Sequence, residues 1–294
     1  MWDFEHPPLD AVLARRYQID RTTPSDCAAR LASGQSDIGL VPIAALATNP
    51  TLRILPGCTI ASKGRVRSLL LVRRAAQPLS ALRSVAADIA SRTTIAYARI
   101  LFHRWGNPAV PFLPLAADLD RMLAKADAAI LIGDPALLAL EERENRLART
   151  SEELVYHDLA EEWTSLTNLP FVSAVWGATH GSVLDDRISV CHSSLPVPGP
   201  SVPGPYVPSP YVPSPSVPSP SVHDFTQSRD HGLANIDTLV NEWSARLPIP
   251  AATIRTYLTE NIHYILDEEC IAGMKAFFHQ AAALDILPAC EPAI

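Results

Sequence analysis

Apolar and polar positions change period repeatedly along this chain, and each change predicts an element. Leu9 to Arg16 carries a short helical spacing, and Tyr17-Gln18-Ile19-Asp20-Arg21 switches to strand alternation. Pro24-Ser25-Asp26 opens a helix capped by Thr23 or Ser25, with Cys27, Ala28 and Leu31 on its apolar face and Gly34 as its stop. Ser36 to Pro42 reads as a short strand ended by the proline, and Ile43 to Ala47 as another short helix. Strand, helix, strand in this rhythm predicts a parallel α/β sheet with crossover helices. Leu52–Pro56, Cys58–Ser62 and Val66–Arg73 read as further strands, with Lys63-Gly64-Arg65 as a turn. Pro78–Leu82 is a short helical linker into the strand Ser84–Asp88, which runs directly into a helix over 93–105. An extended piece around Val110–Pro114, a helix over Leu119–Leu123 and the wholly apolar strand Ala126–Ile132 come next. Val155–Leu159 and Glu162–Thr164 lead into the strand Leu169–Trp176. Helical patterns at Gly232–Arg246, Ala251–Leu266 and Glu268–Leu284 close the chain, the last with Ile271, Met274, Phe277, Phe278 and Ala281 as its core stripe.

The stretch Asp88 to Thr94 carries the most suggestive chemistry. Ser91, Thr93 and Thr94 offer hydroxyls where a helix opens and its first N–H groups lack partners. Such a helix start is a ready anion site. Arg92 is the odd residue, because a cation in the first turn opposes the helix dipole. An anion between them gives it a purpose; a Ser/Thr cap beside a solvated arginine is the plainer alternative, and these residues alone leave both open. Asp134 reads as an N-cap with Pro135 at the first helical position, and it also lies at the carboxyl end of a strand, where open α/β sheets bind ligands. His157 and His180 have no ligand-spaced partners and read as surface or packing histidines.

Composition narrows the class. Hydrophobic residues make up 48% of 294, which predicts a globular body. A formal charge of −7 and a pI near 5.7 argue against a nucleic-acid surface. No run of eighteen apolar residues predicts a membrane span, and the first residues lack the pattern of a signal peptide. The scattered Cys27, Cys58, Cys191, Cys270 and Cys290 show neither CxxC nor a metal-like cluster, which predicts reduced thiols in a cytoplasmic protein. Pro196 to Val222 is a pentad repeat (PVPGP, SVPGP, YVPSP, YVPSP, SVPSP) that excludes helix and sheet interior alike. It is either a docking ligand for a proline-recognising partner or a tolerated insertion in a surface loop, and the second is expected.

Several phrases together resemble one family, the chorismate dehydratases of the futalosine route to menaquinone. They are Ser36 to Pro42, Leu55 to Gly64, Arg67 to Leu71, Asp88 to Thr94, Leu131 to Leu137 and Leu169 to Trp176, in that order and spacing. The resemblance covers about Trp2 to Trp176 and resumes over the C-terminal helices. It implies an α/β, two-lobed type II periplasmic-binding-protein-like fold with the ligand between the lobes. One lobe is expected from 1–73 plus 175–294, with the pentads at 196–222 as an insertion, and the other from 74–174, hinged by two crossings near Val72 and Val172–Trp176. The implied reaction removes water from chorismate to give 3-[(1-carboxyvinyl)oxy]benzoate, with no redox cofactor and no metal. Chorismate is then the one small-molecule partner, with no nucleic acid and no membrane. On this reading Ser91, Arg92, Thr93 and Thr94 hold a carboxylate, faced by Ser62 and the Val41–Pro42 edge, with Asp134 also at the substrate; no proton-moving residue is legible. The family ordinarily opens with a strand ending in a Ser-Tyr-Leu-Asn-like phrase, just before the segment matching Met1 to Glu5, and a start assigned too far downstream is the expectation here. Rival readings are a solute-binding protein of the same fold without catalysis, the sister dihydroxynaphthoate synthase, and a regulatory effector domain.

Overall fold

Two five-stranded sheets organise the chain. The computed structural model describes residues 1–88, 91–179, 188–193 and 221–293, with 188–193 as backbone. His180 and the proline pentads up to Pro220 lie outside the described residues.

A 3-10 turn at Trp2–Phe4 leads into α1 (Asp10–Leu13), β1 (Tyr17–Thr22), α2 (Pro24–Ala32), β2 (Ile38–Pro42), a 3-10 turn at Ile43–Ala45, and β3 (Arg53–Ser62). Then come β4 (Leu69–Arg74), β5 (Val85–Ala87), α3 (Arg92–Arg104), β6 (Phe112–Pro114), α4 (Leu119–Lys125) and β7 (Ala128–Ile132). They are followed by α5 (Asp134–Glu141), α6 (Arg143–Thr150), β8 (Leu154–Asp158), α7 (Leu159–Thr167) and β9 (Phe171–Ala178). β10 (Ile188–Ser193), α8 (Val222–Ala234), α9 (Ile236–Ser244), α10 (Ala251–Thr256) and α11 (Glu268–Ala283) complete the order.

The first sheet runs β1-β10-β2-β9-β3, and the second β6-β5-β7-β4-β8. β1, β10 and β2 are mutually parallel, as are β6, β5 and β7. β9 is antiparallel to β2 and β3, and β4 to β7 and β8. Continuous apolar runs explain the central strands, since helices cover both faces of such sheets. All of β2 is buried, and so are residues 128–131 of β7.

Several expectations shift. Leu52–Pro56 and Cys58–Ser62 form one strand, β3, with a register shift between Ile54 and Thr59 where Gly57 takes φ 89. Val66 to Ser68 are not strand: Arg67 has φ 67, and Asp158 accepts from the Val66 and Arg67 N–H groups at 3.0 and 2.5 Å. β4 therefore begins at Leu69 and lies wholly in the second sheet, which moves the first crossing ahead of residue 69 rather than to Val72. α10 passes after Thr256 into a π-helical turn (Tyr257–Asn261), and the chain from Ile262 to Tyr264 then lies along the edge of β3, where His263 and Ala61 exchange backbone bonds of 2.8 and 2.9 Å. Nothing in the sequence pattern marked α6 or β10.

Asp158 also caps α7 through Oδ1, accepting from Ala160 and Glu161. One buried carboxylate thus holds both the crossing and a helix start. Asp158→Ala is expected to lower stability by about 2–3 kcal/mol in urea unfolding, the sum of a lost cap and unsatisfied buried N–H groups. An unchanged midpoint would mean that water replaces the carboxylate there.

A continuous core links both sheets through α3, β9 and α11. Tyr97 is its hub, fully buried, with its ring centroid 3.9 Å from Phe171, 4.2 Å from Phe277 and 4.8 Å from Trp163. Its hydroxyl donates to Val172 O and accepts from Val172 N, both at 3.3 Å. These two bonds tie the ladder position of β9 at the return crossing to α3.

Candidate active site at the carboxyl edges of the two sheets

The parallel strands deliver their carboxyl ends to two edges: Thr22, Pro42 and Ser62 on the first sheet, Ala87 and Ile132 on the second. β4, antiparallel to β7, brings its amino end there too, with Leu69 opposite Ile132. Open α/β sheets bind ligands outside such ends. The two edges meet where Ala44, just past β2, donates its N–H to Thr93 Oγ1 at 3.1 Å.

The start of α3 is built as its hydroxyl-rich sequence dictates. Ser91 is the N-cap, accepting from Thr94 N at 3.4 Å, and its Oγ lies 2.8 Å from Thr94 Oγ1. Thr93 and Thr94 are buried, and the Thr93 hydroxyl is the latch to Ala44. The N–H groups of this first turn retain their electropositive character. Arg92 is exposed and makes no ion pair among the described residues. It borders a cavity of about 240 Å³ together with Ser25, Ala28, Pro42, Ala45 and Asn49, whose Nδ2 is buried without a partner. The helix start and the Pro42 edge therefore come together at this cavity.

Two residues go elsewhere. Val41 is fully buried and packs across Gly177 into the core, because β2 is central and covered on both faces. Ser62 is also buried, and its hydroxyl closes its own turn, donating to Gly64 O at 2.8 Å and accepting from Gly64 N at 3.3 Å.

Asp134 is shifted by one position from its expected place. Gly133, at φ 70, is the N-cap, and Asp134 is the first helical residue with no capping bond. The left-handed conformation favours glycine, and Gly133 N donates to Ser68 O at 2.7 Å, which sets the turn. Free of the capping role, the half-buried Asp134 carboxyl has its pKa pushed up by desolvation. Tyr257 feels the charge of Asp134 and bonds Ser68 Oγ through its hydroxyl at 3.1 Å. Burial also raises the pKa of Tyr257 and of Tyr264 beside it. Ser68, Tyr257 and Tyr264 escaped sequence reasoning. Tyr257 opens a π-helical turn that follows α10 and Tyr264 lies beyond it on an extended stretch, so the single helical pattern expected over 251–266 did not mark them.

His263, Asp267 and Cys270 bring three metal-type donor atoms within 4.8 Å of one another. Lys63 Nζ already lies 2.8 Å from Asp267 and 2.6 Å from Glu269, and Asp267 Oδ1 caps α11 at Cys270 N. Burial opposes the Asp267 charge, but the Lys63 ammonium and the Cys270 N–H outweigh it and hold the carboxyl far below the usual range. With a cation in place, this is an ion-paired cap, and no chemistry is routed through it.

A family profile described as menaquinone biosynthesis matches residues 4–195. The chain belongs to the menaquinone biosynthesis family. Within this family setting, the chorismate dehydratase of Thermus thermophilus is 25% identical over 284 residues, covering 94% of this chain and 90% of that protein. A solved structure from Archaeoglobus fulgidus superposes with a TM-score of 0.56 at 14% identity, covering 92% of this chain and 98% of that one. A Candida albicans protein described as exhibiting the generic periplasmic binding protein structural fold gives 0.52 at 12% identity, covering 89% and 78%. The periplasmic-binding-protein-like fold is thus the fold of this member of the family, as the sequence implied. Among the described residues no helix is long and apolar enough to cross a membrane.

Proposed function

We propose that this chain is a cytoplasmic chorismate dehydratase, a carbon–oxygen lyase that converts chorismate to 3-[(1-carboxyvinyl)oxy]benzoate and water in the futalosine route to menaquinone. The observation that carries the reading is the relative named for that activity, which matches nearly end to end. The strands group as two lobes, one from the start to the crossing ahead of Leu69 plus the chain from β9 onward, the other between, with the substrate at their shared edge. In the reaction a ring C–H bond and the ring C–OH bond break: the ring proton passes to a base, the hydroxyl leaves as water with a proton from an acid, and the ring becomes aromatic. Fixed dipoles and positioning suit such a step. The first turn of α3 and Arg92 hold a carboxylate. Asp134, kept protonated to higher pH by its burial, gives the departing hydroxyl its proton, with Ser68 and Tyr257 fixing the surroundings.

Arg92→Ala is expected to raise KM for chorismate roughly 10- to 100-fold, the loss of a charge-assisted bond. Because Arg92 is exposed and unpaired among the described residues, the melting temperature should stay where it was. Steady-state kinetics beside a thermal melt checks both; an unchanged KM removes Arg92 from the clamp.

A further inference from the structure

α5 starts at the second sheet's carboxyl edge with Asp134 and carries Leu137 and Leu138 on the same face, three and four residues on. α9 and α10 cover that face: Leu137 is buried with Val240, Ile249 and Ile254 in a small apolar cluster separate from the main core. The π-helical turn Tyr257–Asn261 follows α10 directly, and Tyr257 packs against the cluster while its hydroxyl donates to Ser68 Oγ at 3.1 Å. Ser68 O in turn accepts from Gly133 N at 2.7 Å, and Gly133 is the N-cap from which Asp134 starts α5. A few residues on, the same segment is bonded to the first sheet, through the His263–Ala61 pair and from Thr59 N to Tyr264 O at 3.0 Å. The chain over 236–264 thus ties the edge of β3 to the corner that carries Asp134.

We propose that α9, α10 and the π-helical turn form a strap across the substrate edge, and that Tyr257 is its positioning residue, seating Ser68 and through it the Gly133 turn that aims Asp134. This role rests on the dehydratase reading, which gives Asp134 a proton to deliver. Two features of the strap suit it. Pro248 and Pro250 fix φ in the short link between its helices and so stiffen it. Its apolar cluster is small and stands apart from the main core, the kind of contact that opens without unfolding the rest.

The strap also lies where water would otherwise reach Asp134. No ion pair serves that carboxyl among the described residues, and burial raises its pKa. The titratable group facing it is Tyr257, whose own pKa is raised by burial and by the Asp134 charge, with Tyr264 next to Tyr257. Opening the strap hydrates the carboxyl and returns it toward the ordinary carboxylate range, so its proton is lost at lower pH. Closure over the substrate and readiness of the acid are then one event.

Kinetics and hydrogen exchange on the full chain test the strap together. Tyr257→Phe keeps the ring and removes the donor, so kcat should fall about 3- to 10-fold with KM unchanged, the size of one hydrogen bond. Val240→Ala loosens the cluster from α9 and leaves the Tyr257–Ser68 pair in sequence intact. Its upper limb of kcat against pH should move to lower pH, and exchange over 236–261 should quicken while that over 128–132 stays slow. In the wild type, chorismate should slow exchange over 236–261. A kcat indifferent to Tyr257→Phe overturns the positioning role. An upper limb that Val240→Ala leaves in place overturns the strap, as does exchange over 236–261 that chorismate leaves unchanged while it is turned over. Chorismate that slows this exchange but is recovered unconverted sinks the dehydratase reading and leaves the strap supported.

Discussion

Asp134→Asn is expected to lower kcat for chorismate roughly 100- to 10,000-fold, the range a positioned general acid contributes, while making the folded chain more stable at pH values above the raised Asp134 pKa. Both effects have one cause. Burial raises the pKa of this carboxyl, and among the described residues no cap bond and no ion pair offsets it. A group whose folded pKa is raised favours the fold fully below its unfolded pKa and loses that contribution as pH rises through the folded value. Once pH passes the raised folded value, the wild type carries a desolvated charge that the neutral amide does not. Between the ordinary carboxylate range and the raised value, wild-type stability should fall with pH and that of Asp134→Asn should stay flat. kcat of the wild type should decline over the same upper window as the proton is lost. Urea unfolding and initial rates from pH 4 to 8 read both curves. A variant with undiminished kcat would take Asp134 out of the proton path, whatever its stability.

Gly273→Ala should be the most damaging glycine-to-alanine change among the described residues, at about 3 kcal/mol or more. Gly273 is buried on α11, and a Cβ there would stand 2.4 Å from Pro170 O and 3.3 Å from Pro170 C. That carbonyl has little freedom to retreat, because it accepts from Trp163 Nε1 at 3.1 Å and Trp163 is fully buried. Alanine's better helix propensity returns only about 1 kcal/mol, so the clash decides the sign. The strain falls on the return crossing, next to the Tyr97–Val172 bonds that set β9 against α3. Loss of activity should therefore accompany the lower unfolding midpoint. Wild-type stability in the alanine variant would mean that α11 stands farther from Pro170 than described.

Much of this was legible in the chain because local chemistry and final structure agree. The strand-to-helix passage at Asp88–Thr94, the Ser91 cap, the apolar β7 and the Thr23 cap of α2 all follow from short-range rules. What failed to show was set by partners far away in sequence. Arg67 looked like strand until the carboxylate of Asp158 claimed its backbone. Asp134 looked like a cap because Asp-Pro usually is one, whereas the left-handed Gly133 took that position. Ser62 had the right residue type at a strand end, but its nearest acceptor was two residues away. β10 is short and polar at one end, and only its bonds to β1 and β2 define it as a strand.

The most direct measurement is product analysis after incubating the purified full chain with chorismate. The account predicts that chorismate disappears while 3-[(1-carboxyvinyl)oxy]benzoate accumulates in equal amount, with turnover proportional to protein and reduced in Arg92→Ala. Chorismate that binds and is recovered unchanged would contradict it and make this two-sheet fold a binding protein.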